Sequence, residues 1–307
     1  MRPQMFLSVI VCAVTLAVAQ AADRTEIGFA DGRIFPESLT STPDGTLYIG
    51  SMELGSVYRA TPSSTSASVW IPPHSHGLQN VLGVLADQAS GTLWVCSGIL
   101  KPGQPPGGET SLNAFALSDG AFKQTYPLPG NGLCNDIAVS AGNTYITDTL
   151  GARVLRLKKG ATTLEEWAVD KTLLATADGL AFLGDGALYV NSVGKGTIVQ
   201  IPINPDGSAG RLTQLDLPLL GRPDGMRPVG ANKLIVADGG GRLLEVTVSG
   251  TKGEVKVLKE GLAGGPVAVT VAGGMAYVVE GKLNLRNDPS KDPGPFRVIG
   301  VPYQARN

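Results

Sequence analysis

The sequence lacks an excess of charge of either sign. Lys and Arg number 25 against 26 Asp and Glu, and charged residues make up only 17% of the 307 residues. Nucleic-acid backbones are bound by clustered Lys and Arg, and this chain has no basic stripe of that kind. We therefore expect no nucleic-acid partner and a compact protein with a nearly neutral surface.

Several catalytic and membrane signatures are also missing. There is no Gly-x-Ser-x-Gly motif, so nothing indicates a serine nucleophile on a strained turn. The two histidines, His74 and His76, have no third soft ligand nearby in the sequence, and we interpret their segment as a lid or a surface loop. The hydrophobic run at Met5–Ala19 is about 15 residues long, too short for a comfortable membrane span.

That hydrophobic run is instead typical of a secretory signal peptide. Arg2 precedes it, and Ala19-Gln20-Ala21 matches an A-x-A cleavage site. We predict a signal peptide over residues 1–21 and a mature domain over residues 22–307. The protein would be secreted or periplasmic, with no membrane association after cleavage, and an uncleaved anchor is the alternative. Cys96 and Cys134 remain in the mature chain, either as a disulfide or as two small buried apolar residues.

The sequence does contain one motif that it repeats six times. Each copy has a short apolar strand, a turn that contains glycine, and a second strand. Successive second strands begin 42 to 51 residues apart, and they are Thr46–Ser51, Thr92–Ser97, Asn143–Asp148, Ala187–Ser192, Lys233–Asp238 and Met275–Glu280. This is the period of a four-stranded propeller blade. The repeat therefore predicts an all-β protein, a six-bladed β-propeller with four antiparallel strands per blade.

The ring must close where the two ends of the mature chain meet. The last repeat supplies only three strands, at Val267–Val271, Met275–Glu280 and Phe296–Val301. The segment Arg24–Phe29 can supply the fourth, outer strand, which would remove a free sheet edge. We therefore predict that an N-terminal strand closes the last blade.

Polar residues open the first strand of most repeats, at a register that should face the central channel. Glu37, Asn135, Asp178 and Asp224 hold this register in repeats one, three, four and five. Oxygen ligands that converge from a ring suit Ca²⁺ or Mg²⁺, and three carboxylates without a cation would repel one another strongly. A single Asp-Gly pair is an ordinary turn signal, but the four residues together favour a cation site.

Four further residues are weaker candidates, for contact with a substrate. Asn80 opens the second repeat, and Arg222 lies two residues before the Asp of repeat five. Arg222 would bind a substrate oxygen or carboxylate, or would be an ordinary surface arginine. Asp148 and Asn191 end second strands, where they would shape the pocket, support the ligands from behind, or satisfy local turns.

With these motifs the chain resembles the SMP-30/gluconolactonase family, the regucalcin-type six-bladed propellers. The matching segments extend over nearly all of the mature chain, and the best are Phe35–Ser38, Asn135–Val139, Gly179–Phe182 and Pro223–Met226. The resemblance implies one divalent cation at the top of the channel, Ca²⁺ in preference to Zn²⁺ or Mg²⁺, with Glu37, Asn135, Asp178 and Asp224 as its ligands. The family usually has Asn where this chain has Asp178, which adds a negative charge.

The resemblance also implies a function, hydrolysis of a small-molecule lactone such as a sugar lactone or related ester. The cation would polarise the carbonyl and lower the pKa of a bound water, and Asp224 would act as the catalytic general base. Two alternatives remain open. One is a non-catalytic propeller that binds a ligand or partner through its top face, and the other is a condensing enzyme resembling the strictosidine synthases.

Overall fold

The described chain consists almost entirely of β-strands. The computed structural model describes residues 24–101 and 109–304, and the predicted signal peptide lies outside them. Within these ranges there are 24 strands and two three-residue 3₁₀ helices, Ser75–Gly77 and Leu283–Leu285. The described residues contain no helix that is long and apolar enough to cross a membrane. The predicted all-β class is confirmed.

The strands form four sets, numbered here in chain order. The innermost set is β2 (Pro36–Ser41), β6 (Asn80–Asp87), β10 (Cys134–Ser140), β14 (Ala177–Phe182), β18 (Pro223–Val229) and β22 (Pro266–Ala272). The second set is β3 (Leu47–Ser51), β7 (Thr92–Gly98), β11 (Asn143–Asp148), β15 (Leu188–Ser192), β19 (Lys233–Asp238) and β23 (Met275–Glu280). The third set is β4 (Ser56–Ala60), β8 (Ser111–Ala116), β12 (Arg153–Leu157), β16 (Thr197–Ile201), β20 (Arg242–Ser249) and β24 (Arg297–Pro302). The outer set is β1 (Glu26–Phe29), β5 (Ser66–Ile71), β9 (Phe122–Pro127), β13 (Glu165–Val169), β17 (Thr213–Gln214) and β21 (Lys252–Lys259).

These strands are arranged in antiparallel four-stranded units. Four sheets have four strands each, and a fifth has eight. The eight-stranded sheet consists of two such units, joined by a short parallel pairing of β1 with β5. In one of these units β1 pairs antiparallel with β24, with Glu26 opposite Ile299. The N-terminal strand therefore covers the edge left by the last three strands, as predicted.

The innermost strands pack against one another in a ring. Contacts run from β2 through β6, β10, β14 and β18 to β22, and β22 in turn contacts β2. The apolar core lies between neighbouring units; for example, Tyr189 of β15 packs in one cluster with Met226 of β18 and Leu244 of β20. Because each unit is covered on both faces, its second strand is buried along its length, as in Leu47–Ser51.

A disulfide joins two neighbouring units. Cys96 in β7 and Cys134 at the start of β10 are bonded, with their Cα atoms 5.2 Å apart, a separation that suits such a bridge. Apolar side chains surround the bridge, including Leu112 and Ile146. Of the two interpretations of these cysteines, the disulfide is the one observed.

Candidate functional site

A β-bulge interrupts every innermost strand near its beginning. The register shifts fall between Pro36 and Ser38, Val81 and Val84, Cys134 and Ile137, Ala177 and Leu180, Pro223 and Met226, and Pro266 and Ala268. A bulge adds an unpaired residue and changes the direction in which side chains point. Glu37, Asn135, Asp178 and Asp224 all lie inside these bulges, which explains why they share a register.

The bulges surround one narrow cavity between the innermost strands. It measures about 10 Å³, and residues from all six strands line it, among them Glu37, Asn135, Asp178 and Asp224. That volume suits roughly one water molecule or ion. The four side chains are almost completely buried, with 6% to 9% of each residue exposed. The structure therefore brings together the four residues that the sequence placed at this register.

The two Asp-Gly pairs at the cavity lie within strands and not in turns. A Cβ atom on Gly225 would lie 2.8 Å from the carbonyl oxygen of Val267 in the next strand. A Cβ atom on Gly179 would overlap the carbonyl oxygen of Asp224. Glycine at both positions thus permits close approach of neighbouring strands, and this brings the carboxyl groups together.

Amide side chains hold the carboxyl groups in place. Asn135 Nδ2 donates to Asp178 Oδ2 at 3.0 Å and to Thr149 Oγ1 at 2.9 Å. Asn191 Nδ2 donates to the main-chain oxygen of Asp224 at 2.5 Å, and its Oδ1 accepts from the Gly179 N–H at 3.1 Å. Asn191 therefore fixes the bulges of β14 and β18 against each other, which is a supporting role behind Asp178 and Asp224.

The fold disfavours the charged form of the three carboxyl groups at the cavity. Burial raises the pKa of Glu37 and of Asp224 well above the ordinary values, and the neighbouring Asp178 charge raises both further. Burial, and then the charge of Asp136, raises the pKa of Asp178 to about 7. Three acidic residues with raised pKa values therefore line one small cavity. Across residues 24–101 and 109–304, however, no three His, Cys, Asp or Glu side chains already have the arrangement of a metal site.

A buried ion pair that sequence reasoning missed lies beside this cluster. Arg227 Nη1 and Nη2 donate to Asp136 Oδ2 and Oδ1 at 2.7 and 3.1 Å. The same guanidinium donates to the carbonyl oxygens of Met226, Val84 and Leu39 at 2.8, 3.3 and 3.5 Å. One side chain therefore ties β18 to β10, β6 and β2. Its charge also opposes the rise in the pKa of Glu37.

Two of the weaker candidates do not lie at the cavity. Asn80 Nδ2 donates to the Met52 carbonyl and its Oδ1 accepts from the Leu100 N–H, both at 2.5 Å. Its side chain joins two loops, and the bulge of its strand falls two residues further on. Asp148 accepts from the main-chain N–H groups of two residues and from Arg153 Nε at 2.7 Å. Neither Asn80 nor Asp148 lines either cavity described here, and Asp148 has the local-turn role.

Arg222 lies in a larger cavity that adjoins the first. This cavity has a volume of about 330 Å³, and its wall includes Arg222, Asp224, Pro266, Val267 and several glycines. Asp224 borders both cavities. The larger cavity has room for a small organic molecule, which would contact Asp224 among the buried acids. The sequence did not predict this larger cavity, because its wall comes from loops of two repeats and from the segment around Leu283.

The raised pKa values predict an unusual dependence of stability on pH for the metal-free protein. Between the ordinary values of 3.8 and 4.5 and about pH 7, the folded cluster holds protons that the unfolded chain has released. Unfolding then releases protons, so the free energy of unfolding falls as pH rises, by up to about 1.4 kcal/mol per pH unit for each proton. Carboxyls whose pKa is lowered, such as Asp238, affect stability only below this window.

Urea denaturation in EDTA between pH 4.5 and pH 7 measures this slope. The matched variant Asp178→Asn removes one titrating group and should flatten it. A free energy of unfolding that rises with pH in this window, equally in both proteins, would contradict the prediction.

Comparison with known proteins supports the fold. No family model matches the chain, and no curated protein sequence matches it. A gluconolactonase from Xanthomonas campestris is 16% identical, with a TM-score of 0.64 over 94% of each chain. A luciferin-regenerating enzyme is 17% identical, with a TM-score of 0.63 over 90% of this chain and 95% of its own. A virginiamycin B lyase from Staphylococcus aureus is 16% identical, with a TM-score of 0.62 over 92% and 88%.

At such identities these likenesses show the fold alone. The chain is a β-propeller of the kind found in gluconolactonases and the luciferin-regenerating enzyme. The resemblance to the SMP-30/gluconolactonase family, predicted from the motifs, is confirmed at the level of the fold. The lyase has a comparable score, so the fold does not choose the reaction, and the residues at the cavity must do so.

Proposed function

We propose that the chain is a six-bladed propeller and a secreted, Ca²⁺-dependent hydrolase of lactones. The observation that carries this proposal is the convergence of Glu37, Asn135, Asp178 and Asp224 on one cavity that opens beside a larger one. In the six-bladed count, the two halves of the eight-stranded sheet are separate blades within a domain of residues 22–307. A gluconolactonase among the fold neighbours supports the reaction class.

The donor groups at the cavity fit a hard divalent cation. They are three carboxyl groups and one carboxamide, all oxygen donors, as Ca²⁺ prefers. Both side-chain hydrogen bonds of Asn135 within the described residues use Nδ2, which leaves Oδ1 available to a cation. The histidines that would favour Zn²⁺ point elsewhere: His76 stacks on Phe122 with ring centroids 4.3 Å apart. We therefore propose Glu37, Asn135, Asp178 and Asp224 as the ligands and Ca²⁺ as the cation.

The larger cavity would hold the substrate. A bound divalent cation would supply Lewis acidity for the ester carbonyl and for an attacking water. Asp224 borders both cavities, so its carboxylate is placed to take the proton from that water. The water oxygen would bond to the carbonyl carbon of the lactone, the ring C–O bond would break, and the same proton would pass from Asp224 to the leaving ring oxygen to give the hydroxy acid. Asn191 keeps the Asp224 backbone in position during this transfer.

The direct test is metal content together with lactone turnover. We expect the mature protein to bind one Ca²⁺ per chain in calorimetry, and to hydrolyse δ-gluconolactone or γ-butyrolactone only with the ion present. Dialysis against EDTA should remove the activity, and Ca²⁺ should restore it. A protein that binds no divalent ion, or whose turnover EDTA leaves unchanged, would refute the proposal and favour a binding propeller.

A further inference from the structure

The larger cavity contains an arginine whose backbone is fixed but whose head group is free. The Arg222 N–H donates to Asp238 Oδ1 at 2.5 Å, and its carbonyl accepts from the Gly239 N–H at 2.8 Å. The side chain is exposed, and its guanidinium donates no hydrogen bond to any residue of the described ranges. Such an arrangement presents a charged group to the cavity from a rigid base.

Asp238, a candidate partner for this guanidinium, already has other hydrogen-bond donors. Asp238 is completely buried, and it accepts hydrogen bonds from main-chain N–H groups and from Arg242 Nε at 2.8 Å. Arg242 thus satisfies that carboxylate. Arg222 acts on Asp178 and Asp224 only through its charge, which lowers the pKa of both against the larger effect of burial. Its five donors remain available to a ligand.

The equivalent residues in other repeats show which side chains the fold accepts at the position of Arg222. In other units the equivalent carbonyl accepts a hydrogen bond from the N–H that follows the second strand, at distances of 3.0 to 3.2 Å. The residues that hold this place there are Phe35, Leu133, Thr176 and Gly265. The fold therefore accepts an apolar side chain, a hydroxyl side chain or glycine at this position. An arginine at residue 222 is not required by the architecture, which points to a ligand.

We propose that Arg222 binds a carboxylate on the substrate, so that the preferred substrates are lactones that carry an acid group. This rests on the proposed lactone hydrolysis and names its substrate class. The cavity wall also includes the apolar residues Leu262, Pro266 and Val267, and suits a small ring. The guanidinium of Arg222 matches one carboxylate through its planar fork. Because Arg222 and Asp224 both line this cavity, a ring whose acid group binds Arg222 can bring its ester to Asp224.

A matched pair of substrates tests this assignment. 5-Oxotetrahydrofuran-2-carboxylate and 5-(hydroxymethyl)dihydrofuran-2-one share a lactone ring and differ in the acid group. We expect kcat/KM to favour the acid by about tenfold to a hundredfold, as a charge-assisted hydrogen-bonded pair gives. In Arg222→Gln that preference should disappear, and in Arg222→Lys it should survive in part. The control Arg211→Gln removes the same charge from an exposed loop and should keep the preference.

A second readout separates this assignment from the reaction itself. Tetrahydrofuran-2-carboxylate has the ring and the acid group but no ester, so its binding can be measured by calorimetry in the Ca²⁺-loaded protein. We expect Arg222→Gln to weaken binding at least tenfold. If neither lactone is hydrolysed but this loss of binding is seen, the hydrolase proposal fails and the carboxylate site stands. If Arg222→Gln changes neither the substrate preference nor the binding constant, the assignment of Arg222 is overturned.

Discussion

Asp224→Asn is expected to abolish Ca²⁺ binding and to reduce lactone turnover by at least about a thousandfold, since loss of a general base alone costs that much and the ion is lost as well. Asp224 is the one acidic residue that borders both cavities. Asparagine keeps the shape of the side chain but cannot carry the negative charge or take a proton from water. Calorimetry with Ca²⁺ and kcat/KM on the best lactone measure the two effects. Exposed Asp206→Asn should change neither, because its side chain serves only its own turn.

The same variant distinguishes a functional carboxyl from a structural one. Burial, and then the charge of Asp178, raises the pKa of Asp224 well above its ordinary value, so the fold disfavours the charged form of this carboxyl. Asparagine has the same shape, cannot become negatively charged, and leaves the Asn191 contact to the main chain intact. We therefore expect Asp224→Asn to be at least as stable as the parent protein in EDTA. A marked loss of metal-free stability would instead mean that the carboxyl has a structural role.

The repeat in the sequence predicted most of the fold. Six similar second strands at a nearly constant spacing predicted the antiparallel four-stranded units and the contacts between neighbouring innermost strands, because only neighbouring repeats can cover the apolar faces of each unit. The missing fourth strand of the last repeat likewise pointed to Arg24–Phe29, and the structure has β1 there. Both predictions depend on strand patterns and their spacing along the chain, which can be read directly from the sequence.

The candidate site was predicted less completely, for a geometric reason. Glu37, Asn135, Asp178 and Asp224 share a place in the repeat, so their convergence followed from the ring. Asn80 opens the second repeat and was a candidate for substrate contact, but the bulge of β6 lies at Leu82 and Gly83, and residue spacing alone does not locate a bulge.

The Asp136–Arg227 pair could not be predicted from spacing at all. The two residues are 91 positions apart and lie in different repeats. In the sequence Arg227 lies between Met226 and Pro228, and neither neighbour indicates that the arginine is buried. The available signal was a charge in the middle of an innermost strand, where both faces are buried. Such a charge requires a partner, because an unpaired buried ion is very costly.

Arg227→Met is expected to lower the free energy of unfolding by about 3–5 kcal/mol, the range for breaking a buried ion pair from one side. Only 8% of Arg227 is exposed, and its loss leaves Asp136 charged and without its partner. The carbonyl oxygens of Val84 and Leu39 lose a donor as well. Urea denaturation at neutral pH measures the change. The control Lys158→Met breaks an exposed ion pair with Glu165 and should have little effect.

The double variant Asp136→Asn, Arg227→Met decides whether charge is the cause. Because it removes both charges, it should recover most of the stability that Arg227→Met loses, and the double-mutant cycle then gives the coupling of the pair. Methionine fills much of the volume of the arginine stem, so packing is nearly the same in the single and the double variant. If the double variant is no more stable than Arg227→Met, the arginine stabilises the ring through its carbonyl contacts and not through Asp136. Recovery of stability in Arg227→Lys, which keeps the positive charge but not the planar guanidinium, would instead point back to the ion pair.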